Sequence, residues 1–486
     1  MSRSSPVLTL LVLAILLTGY RMWVIRHLGI DLYVDEAYYW GWSKALDWGY
    51  FSKPPVIAAL IAASTALLGD SILAIKLPSL LAYPATALVI QRLASTLFDE
   101  RVGFWSGLAF LTMPLVGALG LFVSTDAPLL FFWSLGMLAL WNALHEGGGW
   151  RHWWLLGVAV GLGLLTKYTM AAFLPSAFLV MLAGQSGRRA LASPRPWLAL
   201  VLALLIFAPN LWWNWTHDFP TFRHTADITQ LDGESHRGNF GEFVGAQWLS
   251  MGPLLFLCMA WAMLRTCVRL RDPVWRLLLG MSVPLLGLVA VQAVRGGANG
   301  NWAAPAFAAG VVIAIGWLGD RHRWKTVATA VLINLVLVSG VYHWPEIARL
   351  AGVEMTGSKD PYKRARGWRD LASAVAPAVR AHPDAVLVAR DRDLLAHLIY
   401  FLAPQAYASW NPKGLVIDHY QLTTRLQDAI GRDVLFVSRG PLDAAVTGRF
   451  GSVEDLGERQ VTIHKDFGRS VHLYLLRDFR GYGSPP

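Results

Sequence analysis

The chain has 486 residues, of which 55% are hydrophobic and 15% charged, and its mean hydropathy is +0.42. Soluble domains carry about 25% charged residues, so this composition excludes an ordinary soluble protein and requires lipid as a second apolar solvent. The net charge of +10 does not point to nucleic acid, because many of the basic residues sit in short loops between apolar runs rather than on one soluble face.

The first apolar run, 6–25, has Arg3 before it and Arg21 and Trp23 at its far end, with no small-residue cleavage site following. It reads as an uncleaved anchor. A span needs about 20 apolar residues, and further spans are predicted near 72–97, 102–123, 126–144, 153–172, 173–184, 197–215, 241–264, 275–294, 303–319 and 326–343. The run 54–68 is short and opens on Pro54-Pro55, so it is predicted to be a half-helix at the interface. Counting it as a span would invert everything after it. With the amino terminus inside, inner loops hold Arg3, Arg101, Arg151, Arg188, Arg189 and Arg195, and then the basic groups between Arg265 and Arg276 and between Arg321 and Lys325. The outer loops are longer in total and hold fewer basic residues, Arg237 among them. This bias supports eleven spans, a cytoplasmic amino terminus and a carboxyl-terminal region on the opposite side. Cys258 and Cys267, the only cysteines, offer neither a disulfide framework nor a metal spacing.

Residues 345–486 differ in kind. They are charged and contain short apolar runs at 384–389 and 433–437, separated by a helix-like segment from Leu394 to Leu402. Strands alternating with helices predict a small α/β domain, and about 140 residues suffice to bury a core. The chain therefore divides into a membrane domain, 1–344, and an extracytoplasmic α/β domain, 345–486.

The polar signals lie in the outer loops. Asp35 and Glu36 adjoin a dense aromatic run that includes Tyr38 and Tyr39. Asp35 reads as a helix N-cap, or as a metal ligand or general base at the membrane surface. Asp126, in Ser124-Thr125-Asp126-Ala127-Pro128, is wedged between two long apolar runs, where an ionisable residue usually pairs or functions. It too could be an N-cap, with Pro128 in the first turn. Two such carboxylates could share one divalent cation. Lys167, beside Tyr168, either snorkels to the interface or meets a phosphate as a point charge, and Lys53 invites the same two readings. In the loop 213–224, His217 and His224 lack a metal spacing, and Arg223 is the anion candidate. Arg295, with the Gly-rich run up to Asn301 and Trp302, could wrap a phosphate with backbone N–H groups, although Gly-Asn runs are also ordinary turns.

In order, Asp35-Glu36-Ala37-Tyr38-Tyr39-Trp40, Gly49-Tyr50-Phe51, Lys53-Pro54-Pro55, Lys76-Leu77-Pro78-Ser79, Thr125-Asp126-Ala127-Pro128, Thr166-Lys167-Tyr168, Asn301-Trp302-Ala303-Ala304-Pro305 and Arg366-Gly367-Trp368 resemble the motifs of the polyprenyl-phosphate-sugar-dependent glycosyltransferases. That superfamily has the GT-C fold and includes lipid A aminoarabinose transferases, galacturonosyltransferases of lipopolysaccharide core and protein O-mannosyltransferases. The likeness runs from about 30 to 310 and more weakly to about 420. Lys76 stands where arginine is usual, and Ser52-Lys53 replaces the usual pair before the prolines.

The resemblance implies a polytopic α-helical membrane protein of the bacterial inner membrane, with its carboxyl-terminal domain in the periplasm. It implies a sugar donor linked through one phosphate to a polyprenyl chain, an envelope glycolipid acceptor such as lipid A or lipopolysaccharide core, and inversion at the anomeric carbon. Asp35 is then the candidate base, with Asp126 and Glu36 beside it as catalytic candidates. Lys53, Lys167, Arg295, Lys76 and Tyr168 are candidates for the donor phosphate. Tyr38, Tyr39, Arg223, His217, Asn301 and Trp302 are candidates for substrate. A divalent cation on Asp35 and Asp126 is open as a cofactor, and no nucleotide cofactor is expected, since no nucleotide-binding Gly motif follows a strand. Arg392, His397, Trp410 and Asn411 are possible glycan contacts in the outer domain. The rivals are a protein O-mannosyltransferase and a flippase for lipid-linked sugar. A flippase should have pseudo-symmetric halves and broken helices near the midplane, and the polar motifs here lie in loops instead.

Overall fold

The computed structural model describes residues 5–145, 149–229 and 238–483; Arg3 and Arg237 lie outside them. The chain falls into two compact units. One comprises Met1–Ile25, Lys53–Leu60 and Lys76–Tyr342, and the other Arg26–Ser52, Ile61–Ile75 and His343–Pro486.

The first unit is helical. Among the described residues six helices are long and apolar enough to cross a membrane: Pro6–Leu28, Ile72–Leu97, Asp126–His145, Arg195–Thr216, Pro273–Arg295 and Trp324–Tyr342. Two bent pairs would raise the number to eight. The predicted eleven spans are thus not matched one for one, and the differences have local causes. The run 102–123 breaks at Met113, where Pro114 starts a new six-residue helix, since proline cannot continue the preceding hydrogen-bond ladder. Arg21 and Tyr342 satisfy carbonyls around that break. Arg21 donates to Leu111 O (2.8 Å) and the Tyr342 hydroxyl to Gly117 O (2.7 Å). The run 241–264 bends by 106° at Gly252-Pro253, with Gly252 at φ 93°, a conformation that glycine adopts freely. The predicted spans 153–172 and 173–184 become a helix Trp150–Leu164, a turn, and a helix Phe173–Ala183. Residues 54–68 form a 13-residue helix, Val56–Leu68, about 20 Å long and too short to span about 30 Å of hydrocarbon.

The centre of this unit is the Ala304–Gly319 helix, buried at nearly every position. Its Ala and Gly residues let neighbouring helices approach closely, the usual packing solution where lipid removes the hydrophobic drive between helices. Trp133, Met137 and Phe307 belong to the same core.

The second unit carries a five-stranded sheet in the order β2-β1-β3-β5-β4, made of β1 (Val386–Ala389), β2 (Tyr407–Ser409), β3 (Val434–Ser438), β4 (Phe450–His464) and β5 (Phe467–Phe479). β1 pairs in parallel with β2 and β3, and β5 runs antiparallel to both β3 and β4. β1 and β3 are buried on both faces, as parallel strands usually are, and they are the two apolar runs of the sequence. Val386, Val388, Trp410, Phe436 and Leu476 fill one face. The Trp368–Ala381 and Arg392–Leu402 helices complete the α/β arrangement.

The same unit incorporates the early loop. Asp31 accepts N–H bonds from Trp368 (2.9 Å) and Arg369 (3.1 Å), capping a helix start more than 300 residues away. Burial raises its pKa, and those N–H donors and Arg369 oppose the rise. His397 reaches Leu32 O through Nε2 at 3.0 Å and Asp393 O through Nδ1 at 2.6 Å. Burial pushes its pKa down to about 4, so the ring is neutral at physiological pH and donates to only one of the two carbonyls. The Trp368 indole lies between the His397 ring (3.8 Å, 4°) and the Arg469 guanidinium (3.6 Å). These contacts hold the Val34–Ser43 helix within the second unit.

Candidate active site

In the helical unit three sequence-distant motifs meet on one carboxylate. Asp126 is the first residue of the Asp126–His145 helix and is almost buried. Its side chain does not cap that helix. One oxygen accepts from Lys167 Nζ at 2.8 Å and the other from Asn301 Nδ2 at 2.7 Å. Lys167 can reach it because the chain turns after the Trp150–Leu164 helix, which leaves Lys167 extended (φ −160°, ψ 134°) before the turn Tyr168–Ala172. Asn301 arrives on the short turn Gly300–Ala303.

Neighbouring contacts extend this cluster. Ser79 Oγ accepts from Ser124 N at 3.1 Å. Lys76 is fully buried, with its ammonium 4.7 Å from the centre of the Phe122 ring. Val56 N donates to Leu165 O at 3.0 Å, which sets the Lys53-Pro54-Pro55 corner next to the turn that carries Lys167. The Tyr168 hydroxyl donates to Asn210 Oδ1 (2.8 Å) and accepts from Asn214 Nδ2 (3.1 Å). Asn210 was not singled out from the sequence. The available signal was two asparagines four residues apart on one face of an otherwise apolar helix.

The remaining candidates of this unit take other roles. His217 stacks on Trp213 (4.3 Å) with Nδ1 2.8 Å from Trp213 O, a local packing arrangement. Arg223 is exposed on the Pro220–Thr229 helix. Arg295 is exposed in the last turn of the Val283–Arg295 helix and makes no hydrogen bond or ion pair among the described residues. The Gly-rich loop after it is braced rather than open. Ala298 N donates to Asn239 Oδ1 (2.9 Å), and Asn239 Nδ2 returns a bond to Ala298 O (3.1 Å). Trp302 is half-buried against the core.

In the second unit Asp35 sits in the first turn of the Val34–Ser43 helix, one residue inside the start. It is therefore not the N-cap. Its carboxylate suits the positive end of the helix dipole and accepts from Arg392 Nη2 at 3.2 Å. The Arg392 guanidinium also lies 4.7 Å from the centre of the Tyr38 ring. Burial acts to lower the pKa of Arg392, but Asp35, the neighbouring tyrosines and Asp418 outweigh it and raise the value. Glu36 is buried and accepts from Tyr33 N at 2.7 Å, closing the helix start. Tyr38 is buried, and its hydroxyl accepts from His419 N. Tyr39 packs on Trp42 at 4.9 Å. Trp410 is a core residue of the sheet, and Asn411 bonds Leu415 O at 2.7 Å.

Both oxygens of Asp126 accept from nitrogen donors, and one oxygen of Asp35 accepts from a guanidinium. Among the described residues no three His, Cys, Asp or Glu side chains gather as a ligand set.

Arg392 has the geometry of a positioning residue for Asp35. Their side chains are 35% and 42% exposed, so the pair itself contributes at most about 1 kcal/mol to stability. Arg392→Gln is expected to leave the melting temperature within about 3 °C and to lower kcat about tenfold, or about 1.4 kcal/mol in barrier. KM should stay within about threefold, so that the loss falls on kcat rather than on binding. Arg392→Lys should restore most of the rate. An unchanged kcat in Arg392→Gln would remove this role.

Residues 52–213 match the dolichyl-phosphate-mannose-protein mannosyltransferase family. The chain is 32% identical to the lipid A galacturonosyltransferase RgtD of Rhizobium johnstonii, over 95% of this chain and 97% of that one. It is 31% identical to the undecaprenyl phosphate-alpha-4-amino-4-deoxy-L-arabinose arabinosyl transferase of Pseudomonas aeruginosa, over 26% of this chain and 24% of the relative. Its fold is similar to that of ArnT from Cupriavidus metallidurans, crystallised with undecaprenyl phosphate. That match has a TM-score of 0.64 at 15% identity, over 96% of this chain and 97% of the other.

Proposed function

We propose a lipid-directed sugar transfer, and the premise is that this chain belongs to the polyprenyl-phosphate-sugar-dependent glycosyltransferases of the GT-C fold. It is a multi-pass membrane enzyme that uses a lipid-phosphate-linked sugar. The acceptor in our reading is lipid A and the sugar a uronic acid. The observation that carries this is the match to a lipid A galacturonosyltransferase over nearly the full length of both chains. We place the enzyme in the bacterial inner membrane, with its amino terminus cytoplasmic and its second unit in the periplasm.

In the proposed step an acceptor hydroxyl attacks the anomeric carbon from the face opposite the phosphate. The new C–O bond forms as the C1–O(phosphate) bond breaks. The hydroxyl proton passes to the Asp35 carboxylate, as a base in hydrogen-bond reach permits. The bonding pair leaves with polyprenyl phosphate, and C1 inverts. Arg392 fixes the Asp35 carboxylate through its hydrogen bond at 3.2 Å. Charge growing on the leaving phosphate is met by fixed cations, for which Lys53, Lys167 and Arg295 are our candidates. Lys167 is already oriented by Asp126. The polyprenyl tail stays in the bilayer, which confines the phosphate to the interface.

Mass spectrometry of envelope glycolipids from cells with and without the protein tests this reading. Loss of one acidic sugar from lipid A is the expected result. The family match over 52–213 favours a second reading, a protein O-mannosyltransferase. Unchanged glycolipids with altered glycoproteins would select it and end the lipid A assignment.

A further inference from the structure

Apart from Asp35 and Arg392, the second unit holds two cavities that the transfer chemistry does not use. The larger, about 600 Å³, is lined by Arg26, Trp40, Asp70, Arg369, Tyr400 and Phe401 among others. A second, about 390 Å³, shares Arg369 and Phe401 with it and is also lined by Arg380. The two cavities adjoin at that shared pair and are treated below as the two lobes of one groove. The Arg369 guanidinium lies 5.4 Å from the centre of the Phe401 ring, is 61% exposed and ion-pairs Asp31 at 3.6 Å.

The charge of the groove is one-sided. Its carboxylate, Asp70, is already matched, accepting from Lys44 Nζ (2.5 Å) and Trp40 Nε1 (2.8 Å). Arg26 and Arg380, one in each lobe, make no side-chain hydrogen bond or ion pair among the described residues. The walls are aromatic. Trp40 and Tyr400 meet edge to face at 4.8 Å, and Phe401 packs on Tyr400 at 4.8 Å. Aromatic walls with a few fixed polar groups are the usual lining of a small-molecule site, and arginines select phosphate and carboxylate oxygens.

The groove is also placed for the chemistry. The Val34–Ser43 and Arg392–Leu402 helices run in the same sense, because Asp35 meets Arg392 at their starts and Trp40 meets Tyr400 toward their ends. From Arg392 to Tyr400 the helix rises about 12 Å, a reach on the scale of a short oligosaccharide. A headgroup seated in the groove would therefore extend toward Asp35 along one wall of the unit.

We propose that this two-lobed groove binds an anionic saccharide, the phosphate- or carboxylate-bearing headgroup of the acceptor glycolipid, with Arg26 and Arg380 as its charge contacts. The assignment rests on the acceptor being a glycolipid, as proposed above. The bland alternative, that Arg26 merely complements the end of its helix dipole, does not account for Arg380 or for the aromatic walls.

The test is calorimetric titration of the full chain, in phosphatidylcholine nanodiscs, with three soluble probes: a bisphosphorylated glucosamine disaccharide, a uronic acid disaccharide and an uncharged disaccharide of the same size. Binding of one or both charged probes, at least tenfold tighter than the uncharged one, is expected, and which of them binds tells phosphate from carboxylate. Arg26→Gln/Arg380→Gln should weaken that binding at least tenfold, and Arg26→Lys/Arg380→Lys should retain most of it. No binding by the wild-type chain, equal binding of all three probes, or undiminished binding by the Gln variant would overturn the proposal. Binding is read without turnover, so failure of the groove is distinguishable from failure of the lipid A reading, which a transfer assay with wild-type enzyme reports.

Discussion

Asp35→Asn lowers kcat by about 10²–10⁴-fold, the range a general base contributes, and leaves both KM values within about threefold. The amide keeps the volume of the side chain and still offers Arg392 an oxygen, so folding is undisturbed; the site is 42% exposed. What is lost is the acceptor for the hydroxyl proton. The measurement is initial-rate kinetics on purified, detergent-solubilised variants with both substrates varied. A variant that keeps full kcat would take the base role from Asp35. One that loses activity only through a raised KM would make Asp35 a binding group instead.

Lys167→Met has the largest expected effect on stability. It leaves the Asp126 carboxylate, 5% exposed, with Asn301 as its one remaining partner among the contacts described above. Breaking a buried pair by removing one partner costs about 3–5 kcal/mol. For a unit of this size that corresponds to a fall in melting temperature of about 5–8 °C. The double variant Asp126→Asn/Lys167→Met should regain much of the loss, because the unpaired charge is gone. It should remain inactive if Lys167 also contacts the donor phosphate. The double-mutant cycle, read by thermal unfolding and by transfer rate, separates the two roles. Additive stability losses would mean that the pair is not coupled, and a fully active double variant would reduce Lys167 to a structural ion.

The parts of the fold that a reader of sequence can find are those written in local pattern. Apolar runs gave the membrane-crossing helices, and β1 and β3 stood out as short apolar runs because parallel strands are buried on both faces. The long hairpin of β4 and β5 did not stand out. β4 is exposed or half-buried at nearly every position and so presents no apolar run. The span count suffered where proline and glycine interrupt apolar stretches, at Pro114 and at Gly252-Pro253, since composition registers the run but not the bend. In the candidate site, motif order picked out Asp35, Asp126, Lys167 and Asn301 as separate signals. That Asn301 closes on Asp126 across 175 residues, or Arg392 on Asp35 across 357, is a property of the folded chain and leaves no periodicity to read. The N-cap readings of Asp35 and Asp126 were reasonable locally, but in both cases a distant cation takes the carboxylate.

The most direct test of the whole account is a reconstituted transfer. The purified protein would be placed in liposomes with a polyprenyl-phosphate-linked uronic acid and lipid A, and both lipid products followed by mass spectrometry. The account predicts one polyprenyl phosphate released for each sugar gained by lipid A, with no nucleotide sugar present. Donor that crosses the bilayer intact while lipid A stays unmodified would contradict it.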